Sequence, residues 1–303
     1  MARQWTANHP RARAEPGSAS YVPLHVEQKR TSCRSPGARY ESITLLGTTL
    51  HRMRMADVLA ACSESIRLRR PILIGVANVA KLVKARRDPH LRQSRAEATF
   101  TVADGVPVVW LSRLCGCPLP ARVAGIDIMN ELLAAADREK YGVSFLGARQ
   151  EIVERVVAHV RRAYPGVRIA GYRNGYFSHA QEADVAAAIG ASAADILLVA
   201  VPTPQKEDFL RRWREDVRVP VCHGVGGSFD VVAGITRRAP RWMQRAGLEW
   251  LYRVRQEPRR MWKRYLITNT TFIGLAVKEL VRARFRLLRG YLRHVGGNVV
   301  KGP

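Results

Sequence analysis

The chain has 303 residues, 47% of them hydrophobic, and carries 50 Lys and Arg against 25 Asp and Glu, a formal net charge of +25. This is length and apolar content enough to bury a full core in one large domain or two modest ones. No run of roughly 18 apolar residues occurs, so the reading excludes a membrane-crossing helix, and the first 30 residues lack the apolar stretch of a secretory signal. The charge is uneven. Residues 1–40 hold seven basic and two acidic residues, residues 237–303 hold seventeen and three, and the stretch between is close to balanced. Basic ends on a near-neutral body point to a polyanion met by the ends, either nucleic acid or an anionic bilayer.

Residues 1–40 are rich in Pro, Arg, Ser and Gly without periodicity, and are expected to form a disordered basic extension. From Ile43 onward short apolar runs recur: ITLLG at 43–47, PILIGVAN at 71–78, ATFTVADG at 98–105, GVSFLGA at 142–148, VRIAGY at 167–172, DILLVAVP at 195–202 and VPVCHGVGG at 219–227. Helix-like stretches such as MADVLAACSESIRLR and QEIVERVVAHVRRAY lie between them. Strand–helix alternation with near-continuous apolar strands predicts an α/β fold, a Rossmann-like, largely parallel sheet flanked by helices, over residues 41–236. Beyond 237 the strands stop. Residues 237–303 predict two or three basic helices, divided at Pro258, as a membrane-docking appendage.

In an open α/β sheet, ligands sit outside the carboxyl ends of the strands. Asn78, Asp104, Thr203 and the glycines from Gly224 therefore belong along one edge. A carboxylate at such an edge suits a general base, while Asp104-Gly105 is also an ordinary turn dipeptide. GVGGSFDVVAG at 224–234 offers backbone N–H groups ahead of a helix, fit for a phosphate or merely for a tight connection. It fails the dinucleotide fingerprint, since Phe229 stands where a glycine is needed, and this disfavours an oxidoreductase. Arg122, Gly125 and Asp127 combine a cation, a turn and a helix cap. His223 reads as a core or loop histidine. Trp242, Trp250, Trp262 and Tyr265 among arginines fit a membrane-surface belt, the seam of a helical hairpin or a single-stranded nucleic-acid face. Five cysteines (Cys33, Cys62, Cys115, Cys117 and Cys222) form no CxxC pair, which argues against zinc and suits a reducing, cytoplasmic setting.

Seven motifs in order, ADGVPVVW (103–110), RVAGIDIM (122–129), LGA (146–148), NGYF (174–177), DILLVAVPTPQKE (195–207), GVGGSFDVVAG (224–234) and the basic stretch 237–266, resemble the WecG/TagA/CpsF family of glycosyltransferases. The resemblance spans residues 43–268. It implies transfer of a sugar, typically N-acetylmannosamine, from a UDP-sugar donor to a polyprenyl-diphosphate-linked acceptor, with inversion and with neither metal nor cofactor. It implies Asp104 as base, Asn78, Arg122, Gly125, Asp127, Gln205 and Lys206 around the substrates, and Gly224, Gly226, Gly227, Ser228, Phe229 and Asp230 as the nucleotide loop. Arg238, Arg253, Arg259 and Arg260 are the candidate cations for the leaving group and the membrane surface.

The chain departs from the family pattern in three places. Val76-Ala77-Asn78 replaces Thr-x-Asn. Gln205 and Lys206 are exchanged relative to the usual PKQE, which opens the way to an altered or acidic donor. Residues 1–40 have no family counterpart. An undocked appendage would expose apolar surface and favour a homo-oligomer. The competing reading is a basic nucleic-acid-binding protein using the arginine-rich termini; the strand-end aspartate and glycines weigh against it, and no nucleic acid is expected.

Overall fold

The structure, a computed structural model, describes residues 40–89 and 97–297. The extension expected over 1–40 thus lies, but for Tyr40, outside the described residues. The chain opens with an antiparallel ribbon of β1 (Ser42–Leu45) and β2 (Thr48–His51). The sequence reading runs one strand through 43–47. The backbone instead reverses at Leu46 and Gly47, both at positive φ (52° and 74°), a tight two-residue hairpin whose twist matches that of its strands.

Then come α1 (Met55–Leu68), β3 (Ile72–Ala77), α2 (Val79–Arg87), β4 (Phe100–Ala103), α3 (Val106–Leu114), α4 (Gly125–Glu139), β5 (Gly142–Gly147), α5 (Gln150–Ala163), β6 (Arg168–Arg173), α6 (Glu182–Ala191), β7 (Ile196–Ala200), α7 (Gln205–Arg212), α8 (Arg214–Val217), β8 (Val221–Gly224) and α9 (Ser228–Val232). Strands β3 to β8 form one six-stranded parallel sheet in the order β4-β3-β8-β7-β5-β6. Every residue of β5 and β7 is buried, which is why GVSFLG and ILLVA read as unbroken apolar runs rather than as alternation. Ile74, Phe145, Leu198 and Phe229 pack on one face with α1, α4 and α5; Leu197, Val199 and Leu146 pack on the other with α6 and α7.

The order of strands sets the site. Strand β3 lies between β4 and β8, so Asn78 at its end is flanked by Asp104 after β4 and by the glycine loop after β8.

The C-terminal segment comprises α10 (Arg241–Arg245), α11 (Glu249–Gln256) and α12 (Pro258–Gly297). Proline suits the first turn of a helix, and Pro258 starts the 40-residue α12. Phe272 is buried, and with Leu275, Ala276 and Leu280 it packs against Leu82 and Val83 of α2 and Leu111 of α3. Trp262, Leu266, Ile267, Ile273, Val277, Val281 and Phe285 are exposed. Among the described residues no helix is long and apolar enough to cross a membrane.

Candidate active site

Asp104 follows β4 directly and is half-buried. Its backbone N–H donates to the Ala77 carbonyl at 2.9 Å, and its own carbonyl accepts from Arg122 Nε at 2.8 Å. Oδ1 accepts from the Gly125 backbone N–H at 3.3 Å, and Oδ2 from Asn78 Nδ2 at 3.4 Å. Asn78 caps α2: its Oδ1 accepts from the Lys81 N–H at 3.1 Å, which turns its NH2 group toward Asp104. Gly125 is the first residue of α4, so the carboxylate also faces the positive end of a 15-residue helix. Both oxygens are anchored in long hydrogen bonds and keep a lone pair each for a third group.

The structure redistributes several residues singled out in the sequence. Asp127 is no cap. It lies in the first turn of α4 and forms a bidentate pair with Arg238, Nη1 to Oδ1 at 2.6 Å and Nη2 to Oδ2 at 2.9 Å. Burial alone would push the Arg238 guanidinium down, but its hydrogen bonds to Asp127, then the charges of Asp127, Glu249 and Asp104, raise it above the ordinary arginine value. Arg238 is thus engaged by carboxylates in this arrangement. Phe229 is fully buried in the core, its ring centroid 6.1 Å from that of Phe145, and supports the loop from beneath. Ser228 is buried too, donating to the Val225 carbonyl at 2.8 Å.

The exposed part of the loop is Gly226-Gly227. Gly226 sits at φ +53° in open space, a backbone conformation that side chains disfavour. Gly224 is close-packed for a different reason: a Cβ there would fall 2.5 Å from Lys206 Cε, so the end of the lysine would have to shift. Beside Gly227 stands Arg253 of α11, with Nη1 4.0 Å from where a Cβ on that glycine would be. Asp230 lies in the first turn of α9. Arg259 is exposed on the first turn of α12, and the Arg260 side chain lies outside the described residues.

Gln205 opens α7 and is half-buried. Lys206 is buried, its ammonium 3.2 Å from Glu207, which also accepts from Thr203 Oγ1 at 3.1 Å. Lys81, Lys206, Glu207, Thr101 and Gly224 help line a cavity of about 40 Å3 alongside β3. The lysine at the exchanged position is therefore already neutralised by its neighbour.

Glu249 is the residue that sequence reasoning missed. It accepts from Arg122 Nη2 at 2.6 Å and lies 3.9 Å from Arg238 Nε, closing a chain Asp104–Arg122–Glu249–Arg238–Asp127. Its one visible signal is that it is the lone acid in a stretch with six arginines, residues 237–256 holding no other Asp or Glu. Of the aromatics, Trp250 and Tyr265 pair with ring centroids 6.0 Å apart, whereas Trp242 and Trp262 face outward. Cys62 and Cys222 are buried, and burial pushes both thiols up to about 12, so neither is a nucleophile at neutral pH. Among the described residues no three His, Cys, Asp or Glu side chains are grouped to hold a metal ion.

Comparison with known proteins bears on this arrangement. Residues 43–286 match the glycosyl transferase WecG/TagA/CpsF family. Over 183 residues the chain is 39% identical to the N-acetylglucosaminyldiphosphoundecaprenol N-acetyl-beta-D-mannosaminyltransferase of Bacillus spizizenii, covering 60% of this chain and 70% of that one. The protein of the same name from Bacillus subtilis is 39% identical over 171 residues, 56% of this chain and 66% of its own.

Proposed function

The chain belongs to the glycosyl transferase WecG/TagA/CpsF family, and from that premise we propose that it moves N-acetylmannosamine or a related hexose from UDP to a polyprenyl-diphosphate-linked sugar in surface polysaccharide synthesis. The names of the two relatives described above specify an N-acetylmannosaminyl transfer to a lipid-diphosphate-linked N-acetylglucosamine. The observation that carries the reading here is the Asp104 carboxylate, held at the sheet edge by Gly125 and Asn78 beside the glycine loop.

The reaction is a single displacement. Asp104 accepts the proton of the acceptor hydroxyl as that oxygen bonds to the anomeric carbon, and the bond from that carbon to the UDP oxygen breaks on the opposite face, inverting the centre. The diphosphate leaves with added negative charge, which fixed dipoles and cations must meet. The Gly226-Gly227 backbone and Arg253 are the groups suited to this, and with them no metal is called upon. Arg122, locked by Glu249 and bonded to the Asp104 carbonyl, holds the base in register.

Residues 41–236 form the glycosyltransferase domain in this reading and 237–303 the appendage that docks on the inner face of the cytoplasmic membrane. Support for docking comes from the exposed Trp262, Leu266, Ile273 and Val277 on a helix rich in arginine. Each Lys or Arg near an anionic leaflet contributes roughly 1 kcal/mol. The test is incubation with a panel of UDP-sugars and a short-chain lipid-diphosphate-linked N-acetylglucosamine, without added metal, with the product identified by mass. One added N-acetylhexosamine is the expected result. Absence of product from every donor, with saturable salt-sensitive binding to single-stranded nucleic acid instead, would favour the competing reading.

A further inference from the structure

His223 is the central buried polar side chain of the sheet, paired in register with Ile74 of β3 on one side and Leu198 of β7 on the other. Its Nε2 lies 2.9 Å from the Gly125 carbonyl oxygen. A carbonyl only accepts, so Nε2 must carry the proton, and Nδ1 is then bare. Nδ1 has no hydrogen-bond partner among the described residues. Burial, the larger influence, and the nearby Lys81 and Lys206 push the imidazole down to about 4, against the raising effects of the Gly125 bond and Asp104, so the ring is neutral throughout the physiological range.

This is a costly way to fill a core. An apolar side chain of similar size would pack there without an orphaned nitrogen. Nor does the Gly125 carbonyl need the histidine, since the first carbonyl of α4 already meets the intrahelical N–H of Met129. What the bond does is couple the centre of the sheet to the residue whose own N–H, one peptide earlier across its Cα, holds Asp104 Oδ1.

We propose that His223 is a positioning residue for the transfer reaction: it fixes the N-terminus of α4 against the sheet through the Gly125 carbonyl, so that the Gly125 N–H aims the Asp104 carboxylate. The proposal rests on the glycosyltransferase reading for its kinetic part, and on geometry alone for its structural part. His223 is fully buried and acts through the two peptide groups that meet at Gly125. Misplacing a reacting group by about 1 Å costs on the order of 100-fold in rate, and a hydrogen bond as long as 3.3 Å has little slack.

The experiment compares His223→Leu with His223→Gln, whose amide nitrogen reaches about as far as Nε2. Four quantities are read on each full-length variant: kcat and KM for the UDP-sugar, thermal midpoint, and hydrogen exchange at the Gly125 amide by NMR. The expected result for His223→Leu is a kcat lower by about 10- to 100-fold, KM within about twofold, an unchanged or raised midpoint, and faster Gly125 exchange. His223→Gln should recover most of the rate and the protection. A merely structural histidine gives the reverse, a lowered midpoint with kcat kept, and that pattern overturns the proposal. So does equal loss of rate in the two variants. If the wild-type protein transfers no sugar at all, the functional reading fails while the exchange measurement still decides whether His223 holds Gly125; unaltered protection in His223→Leu would overturn that too.

Discussion

The sheet body and the C-terminal helices solve opposite problems. The body is close to charge balance, buries its central strands β5 and β7 on both faces, and places Asn78, Asp104 and the glycine loop at neighbouring strand ends. The helices after residue 237 carry a surplus of cations and leave large apolar side chains, Trp242, Trp262, Leu266 and Val277 among them, in the open. Yet the two are not independent. Glu249 and Arg238 reach back to Arg122 and Asp127, and Phe272 completes a core begun by Leu82 and Leu111. The lesson is that the segment proposed to dock is also packed onto the sheet body, and that its Glu249 and Arg238 stand at the candidate site.

The comparison breaks most cleanly at Asp104. Asp104→Asn keeps the shape and one of the two anchoring contacts, since its NH2 cannot accept from Gly125 or Asn78, and removes the base; transfer should fall by about 100- to 10,000-fold. UDP affinity, measured by calorimetry, and vesicle binding should both stay near wild type, because neither depends on the proton acceptor. Retained turnover would remove Asp104 from its role.

The two regions should also part company with pH. His223 in the body is neutral when folded, with its pKa pushed from 6.5 to about 4. Between those values the unfolded chain binds a proton that the folded one refuses, so stability falls as pH drops below 6.5 and levels off below about 4. The loss amounts to about 3 kcal/mol. Chemical denaturation across pH 7 to 4 should show this slope, and His223→Leu should abolish its share. Arginines of the appendage keep their charge throughout, so binding to vesicles of fixed anionic charge should stay flat over the same window.

Leu266→Glu with Val277→Glu tests the appendage from its own side. Each replaces an exposed apolar group on α12 without touching Phe272. Burying one such side chain contributes about 1.5–3 kcal/mol, so co-sedimentation with anionic vesicles should weaken by about 100-fold while turnover on a soluble short-chain acceptor persists. Undiminished binding would mean that the exposed stripe serves something other than a membrane.

Glu249→Gln is the sharpest probe of the boundary and the smallest effect. The pair with Arg122 is short, but Glu249 is a third exposed, so solvent screening moderates its contribution. About a tenfold drop in kcat is expected, near 1.4 kcal/mol, with vesicle binding unchanged. A drop confined to vesicle binding would make the contact a matter of docking alone.

Much of this molecule was legible in the chain itself. Fully buried parallel strands have no solvent face and so read as unbroken apolar runs, which made β5, β7 and the strand-end positions of Asn78, Asp104 and Gly224 visible without coordinates. The seven ordered motifs carried the family. The turn at Leu46-Gly47 escaped because leucine is a poor sign of positive φ. The roles of Asp127, Arg238 and Glu249 escaped for another reason. An aspartate in a first helical turn looks like a cap whatever it does, and its partner stands 111 positions away. Local pattern determines which elements form, because period and propensity act over a few residues. Which charges meet is decided by how the elements pack, and only the tertiary structure brings α11 over the strand ends and His223 under Gly125.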